Sequence, residues 1–184
     1  MRACHVLIVA VIAVLTCSTV ERSSGVDLAA AVASTTKKAV ASGLVVAGGS
    51  GRGVTVTADD LAKLPAVQVG VSFETGHGRR QASFNGPLLW TVLDHAGAID
   101  ATKPREQVRQ VVLVTGRDGY MAALSLGEIA PEFESKQVIL AEQMDGQPLG
   151  PEHLRLVVPG DRRGGRSVRD VVRITVTAPQ DEQR

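Results

Sequence analysis

Cysteine is almost absent from this chain. Its 184 residues include two, Cys4 and Cys17. From residue 18 onward there is no thiol, so neither a disulfide framework nor a thiolate metal site can form in that part. Aromatic residues are nearly as scarce, with one Trp, one Tyr and three Phe. Single-stranded nucleic acid is stacked on aromatic faces, and this chain offers too few. Net charge is +1, so no global field steers the chain to nucleic acid or an anionic membrane. No G-x-S-x-G elbow, H-E-x-x-H pair or P-loop occurs. Gly48-Gly49-Ser50-Gly51 lies in a linker-like stretch and makes a poor dinucleotide fingerprint. Neither an internal repeat nor a heptad run is visible.

What is present begins with an export signal. Arg2 precedes the apolar run Val6 to Leu15, about the length of a signal core and too short to span a bilayer. Thr16 and Ser18 then stand at cleavage-site spacing, which predicts a signal peptide over 1–18 and a periplasmic or secreted protein. A membrane attachment follows only if the signal stays uncleaved or Cys17 is lipidated. Residues 19–43 are rich in Ser, Thr, Ala and Lys without a sustained apolar period, and are expected to be a flexible linker. The folded domain is expected over 44–177, with a polar tail at 178–184.

Within the domain, short alternating runs outnumber helical ones. Val54 and Val56 suggest a strand. Thr57 to Asp60 has capping-box spacing ahead of a short helix. Val67, Val69, Val71 and Phe73 alternate with polar residues, the clearest strand in the chain. Thr75 to Arg80 reads as a basic, glycine-bearing loop, Asn85-Gly86 as a turn, and Pro87 as the opening of a helix whose apolar stripe ends at Gly97. Further strands are expected at Val108 to Val114, Met121 to Leu124, Val138 to Ala141, Leu154 to Val158 and Val171 to Val176. Arg117 to Tyr120 and Asp145-Gly146 are turns, and Ser125 to Glu128 has capping-box spacing. Many strands with few short helices predict an α+β fold rather than a doubly wound parallel sheet.

Two stretches could carry chemistry. His77 lies between glycines ahead of Arg79 and Arg80, where the backbone can approach a ligand; a solvated turn is the equal alternative. Arg155, Arg162, Arg163, Arg166 and Arg169 fall around Gly160, Gly164 and Gly165. Glycine exposes backbone N–H groups and arginine presents a planar fork of donors, a combination suited to phosphate or carboxylate. The alternative is a charged surface loop that only aids solubility. His95 is expected on an exposed helix face.

Several of these runs together resemble the molybdopterin-binding domain of the sulfite oxidase family. They are Phe84-Asn85-Gly86-Pro87-Leu88-Leu89-Trp90, Asp118-Gly119-Tyr120, Asp145-Gly146-Gln147-Pro148-Leu149, and Leu154 to Gly160 followed by Val168-Arg169. The match covers roughly residues 54 to 177. It implies a mixed α+β oxidoreductase-type domain that binds molybdopterin through basic residues. Carried onto this chain, those residues are Arg155 and Arg169, with Arg162, Arg163 and Arg166 less directly matched, and His77 and Arg79 on the facing loop. Catalytic members carry a cysteine that ligates molybdenum, and Thr75 stands in its place here. A threonine hydroxyl is a poor soft ligand. The resemblance therefore implies a pterin or other anionic small molecule as ligand, without molybdenum. It leaves open a non-catalytic accessory role with a protein partner.

Overall fold

The computed structural model describes residues 43–48, 52–75 and 78–178, all within one compact unit, Ala39–Arg184. The segments assigned to a signal (1–18), to a linker (19–43, apart from Gly43) and to a tail (178–184, apart from Ala178) lie outside the described residues, as does His77. Among the described residues no helix is long and apolar enough to cross a membrane.

The chain opens with β1 (Leu44–Ala47) and β2 (Gly53–Val56), an antiparallel hairpin in which Val46 faces Val54. The sequence reading finds only the second of these strands. Thr57 then caps α1 (Ala58–Ala62) in a complete capping box: its side chain accepts from the Asp60 N–H, and Asp60 accepts in return from the Thr57 N–H. The Thr57 hydroxyl also donates to Asp60 Oδ2 at 2.7 Å, and this bond, ahead of that from the Thr57 N–H, holds the Asp60 carboxyl down at about 2. Leu61 anchors the helix in the core.

β3 (Ala66–Thr75) and β4 (Gly78–Pro87) make a hairpin paired along its whole length. Val69 is buried and Val67 and Val71 are half-buried, while Gln68, Gly70 and Ser72 are exposed, as the alternation requires. β4 corrects the expected loop, turn and helix start. Arg79 and Arg80 belong to a strand, Asn85-Gly86 runs straight through it, and Pro87 ends it. β4 is hard to recognise because its first residues are exposed and seven of its ten residues are Gly, Arg, Gln, Ser or Asn, a composition with little strand preference. Its conformation comes from the β3 ladder.

Leu88 precedes α2 (Leu89–His95) without a side-chain cap. Leu89, Val92 and Leu93 are fully buried. Gly97 takes φ +63° just past the helix, the left-handed position where glycine is favoured. His95 is exposed, as expected. Pro104 opens a one-turn helix, α3 (Pro104–Gln107), absent from the sequence reading. Val108 follows as its cap, so β5 (Val111–Gly116) starts later than expected. β5 and β6 (Met121–Ser125) form the expected hairpin, with Gly119 at φ +83° in its turn. α4 (Leu126–Ile129) follows, but Ser125 makes no side-chain cap. The predicted capping box fails because Glu128 turns to Arg166 instead.

β7 (Ile139–Ala141), β8 (Gln143–Met144), β9 (Gln147–Pro148), β10 (Arg155–Val157) and β11 (Val171–Thr177) complete the chain. Asp145 and Gly146, both at positive φ, make the tight turn between β8 and β9. One sheet runs β2-β1-β11-β5-β6, a second β3-β4-β8-β9, and β10 pairs with β7. β11 is parallel to β1 and antiparallel to β5. This is the expected α+β class. The main core lies between the five-stranded sheet, α2 and α4 and includes Leu93, Leu124, Leu126, Leu156 and Ile174. A smaller core of Val69, Phe84, Ile139, Ala141 and Val157 lies under the β3–β4 hairpin. β7 and β10 supply residues to both, which places Arg155 beside the second core.

Candidate functional site

Arg155 is a half-buried cation. β10 sets it opposite Ala141 on the strand face shared with Val157, so its stem is half-buried. Its guanidinium lies over the Phe84 ring, 5.2 Å from the centroid, a cation–π arrangement. Nε donates to Ser167 Oγ at 2.9 Å, and that hydroxyl donates onward to the Leu156 carbonyl at 3.1 Å. Burial, and then the like charge of Arg169, push the Arg155 guanidinium below its ordinary pKa. Among the described residues no carboxylate pairs with either Arg155 or Arg169. Two neighbouring cations with no counter-ion, one half-buried, cost free energy that a bound anion would recover.

The loop after β10 brings the other arginines. Arg166 is held by two carboxylates. Nε and Nη2 form a fork onto Asp161 at 2.9 and 2.6 Å, and Nη1 reaches Glu128 at 3.2 Å. The Asp161 hydrogen bonds, ahead of those from Glu128, raise its pKa further. Arg166 therefore ties the loop to α4, and its donors are largely committed. The Tyr120 hydroxyl donates to the Gly165 carbonyl from the other side. Between these ties, Gly164–Arg166 makes a single 3-10 turn.

Arg162 and Arg163 are exposed and face the long hairpin. The Glu74 N–H donates to the Arg162 carbonyl at 3.2 Å, and Glu74 bridges Arg163 in parallel register. Arg162 and Arg79 line an open cleft of about 290 Å³ with Gly70, Ser72 and Gly160. Arg79 is itself 3.4 Å from Glu74 Oε1. Arg163 lines a small neighbouring hollow of about 20 Å³ with Val71, Phe84, Val157 and Ser167. Val71 and Asp161 border both hollows.

The geometry thus separates the sequence-derived candidates. Arg155 and Arg163 gather near Phe84 and Ser167, with Arg169 close enough to Arg155 to depress it. Arg79 and Arg162 meet across the adjacent cleft. Arg166 stands apart in its own ion-pair network. Phe84 and Ser167 are participants the sequence reading missed. Phe84 stands just before Asn85-Gly86, which were taken for a turn, and nothing local to Ser167 marks it. His153, which has no ligand spacing to another histidine, contacts Asp170 at 2.8 Å on the surface. Among the described residues no three His, Cys, Asp or Glu side chains cluster as metal ligands.

The sequence matches a known family over residues 32–184. The chain belongs to the oxidoreductase molybdopterin binding domain family. The resemblance drawn from the sequence motifs is thereby established at family level. Among solved structures, the domain is similar to the sulfane dehydrogenase SoxCD from Paracoccus pantotrophus, with a TM-score of 0.59 and 19% identity. That likeness is one of fold. It covers 77% of this chain and 39% of the SoxCD chain, so the domain spans well under half the length of that structure. No curated protein matches the chain.

Proposed function

We propose that the domain binds a phosphate-bearing pterin of the molybdopterin type on the face formed by Arg155, Arg169 and the 160–166 loop, and that it holds no molybdenum redox centre of its own. The observation that carries this reading is the Arg155–Arg169 pair, two adjacent cations without a carboxylate, one of them stacked on Phe84 and steered by Ser167. That donor set fits the anionic end of such a cofactor. It does not fit the metal, because the only thiols are Cys4 and Cys17 and Thr75, at the end of β3, occupies the ligand cysteine's place in the family motif. Redox chemistry would come from the metal on a loaded pterin. This chain's own part is to bind and orient the anion: Phe84 fixes the plane of the Arg155 fork, Ser167 fixes its Nε edge, and Nη1 and Nη2 are left to the ligand. Arg163 borders the same hollow, and Arg79 with Arg162 extends the basic surface. Arg166 contributes by holding the loop.

The substitution at Thr75 favours a second reading, in which the same face serves a non-catalytic accessory module for another anionic small molecule or for a protein partner. In both, the chain acts outside the cytoplasm after losing residues 1–18, as the Val6 to Leu15 run supports.

Titration of inorganic phosphate and of a pterin phosphate against the wild type and an Arg155→Ala/Arg169→Ala double variant tests the site. Charge-assisted bonds are each worth about 1.5–3 kcal/mol when shielded. Losing two moves a micromolar ligand to about the millimolar range. Equal affinity in both proteins, with unchanged melting temperature, would place the site elsewhere. Metal analysis and pterin fluorescence on protein from a cofactor-competent host separate the two readings. Pterin without stoichiometric molybdenum supports the first, neither supports the second, and one molybdenum per chain overturns both.

A further inference from the structure

The long hairpin leaves one edge open. β4 occupies one side of β3 throughout. On the other side Glu74 sends its N–H out to Arg162. Successive strand residues direct their backbone groups to opposite edges, so Gln68, Gly70 and Ser72 share the outward side with Glu74. The partner strand agrees. Ser83 and Asn85, opposite Gly70 and Gln68, give their carbonyls to Asp145 and Glu142 rather than to β3. Among the described residues the outward N–H and C=O groups of Gln68, Gly70 and Ser72 have no backbone partner, and all three residues are exposed.

We propose that this edge is a docking strand that takes an extended acidic segment of a partner protein by strand addition. Natural sheets guard their edges with proline, charge, bulges or a covering segment. The stretch Gln68 to Ser72 has no proline and no charge, and its pairing with β4 shows no register shift. The 160–166 loop already begins a ladder on this edge at Glu74 and stops there. A cleft of about 290 Å³, with Arg79 and Arg162 among its walls, borders Gly70 and Ser72, leaving room for a guest's side chains. The charges choose the guest. Glu74 is neutralised by Arg79 and Asp161 by Arg166, whereas Arg80, Arg162 and Arg163 are exposed with no carboxylate partner among the described residues. Backbone bonds would supply affinity, and the unpaired arginines would select a guest rich in carboxylates. A second copy of this chain would bring the same cationic loop, which disfavours it as the guest.

The test uses the full chain and three fluorescein-labelled eight-residue peptides: alternating Val and Glu, alternating Val and Lys, and the Val–Glu peptide with a central proline. Binding is followed by anisotropy. The Val–Glu peptide should bind at least about tenfold more tightly than either of the others. Gly70→Pro removes an outward N–H without touching the β4 ladder, and should weaken Val–Glu binding about tenfold or more while the melting temperature holds. Arg162→Glu/Arg163→Glu should reverse the preference between the Glu and Lys peptides, and decides the matter if Gly70→Pro does not fold. Equal binding of the Glu and Lys peptides, or a folded Gly70→Pro chain with wild-type affinity, overturns the proposal. So does a concentration-dependent dimer in sedimentation that Gly70→Pro abolishes, since the edge would then belong to a second copy. Phosphate affinity at Arg155 is measured in parallel; its loss or retention bears on the pterin reading and leaves this one unaffected.

Discussion

Gly86 shows how one missing methyl group positions the site. A Cβ there would stand 2.2 Å from the Leu140 carbonyl oxygen and 2.8 Å from the Ala141 Cα. Those are backbone atoms and cannot swing aside, so only glycine lets β4 lie this close to β7. The close approach in turn sets Phe84, two residues earlier on the same strand face, against Val157 and under Arg155. Gly86→Ala should cost about 2–3 kcal/mol by overpacking and blunt phosphate binding with it. Urea unfolding together with the phosphate titration checks both effects. Gly70→Ala, where nothing lies within 4 Å, is the control and should leave stability nearly unchanged.

At the scale of elements, the 160–166 loop owes its shape to its ties rather than to secondary structure. Arg166 reaches Asp161 in its own loop and Glu128 on α4, Lys136 adds a longer contact to Glu128 at 3.8 Å, and Tyr120 holds Gly165. Arg166→Ala breaks a partly exposed network and should lower stability by about 1–2 kcal/mol. It should also raise amide exchange across 160–166 and weaken anion binding less than Arg155→Ala does. Hydrogen exchange with the phosphate titration distinguishes loss of a tie from loss of a ligand contact. α1 offers a separate check by pH. The Asp60 carboxyl is depressed from 3.8 to about 2, so its stabilising part is complete above pH 3.8 and is lost as pH falls through about 2. Thr57→Val removes the leading hydrogen bond, and an NMR titration should then find Asp60 back toward its ordinary value.

For the whole molecule, the absence of cysteine after residue 17 has a direct consequence. The domain's stability rests on its two apolar cores, which β7 and β10 join, and on no covalent cross-link. Reductant should leave the melting temperature unchanged, and a shift of more than about a degree would show that Cys4 and Cys17 bear on the fold. Truncating Phe84, the largest side chain of the smaller core, should be felt at the site as well as in the melt, because that core carries both the hairpin and Arg155.

The sequence alone determined most of the sheet frame: alternation located β3, short apolar runs between turns located β6, β7, β10 and β11, capping chemistry located α1, and turn residues located the β5–β6 and β8–β9 connections. These signals are local, arising from a side chain's preference and its immediate neighbours. Motif order then led to the family, and loop composition to the arginines. Tertiary structure decided the rest. β1 and α3 are too short to show a period, and β4 is extended only because β3 lies beside it. Ser125 gives up its capping box because Glu128 finds a better-placed cation 38 residues away. The five arginines are equivalent in sequence, yet Asp161 and Glu128 claim Arg166 while Phe84 and Ser167 hold Arg155 ready beside Arg169. Which cation stays unpaired depends on long-range placement of carboxylates and aromatic rings, and folding of the sheets onto one another fixes that placement.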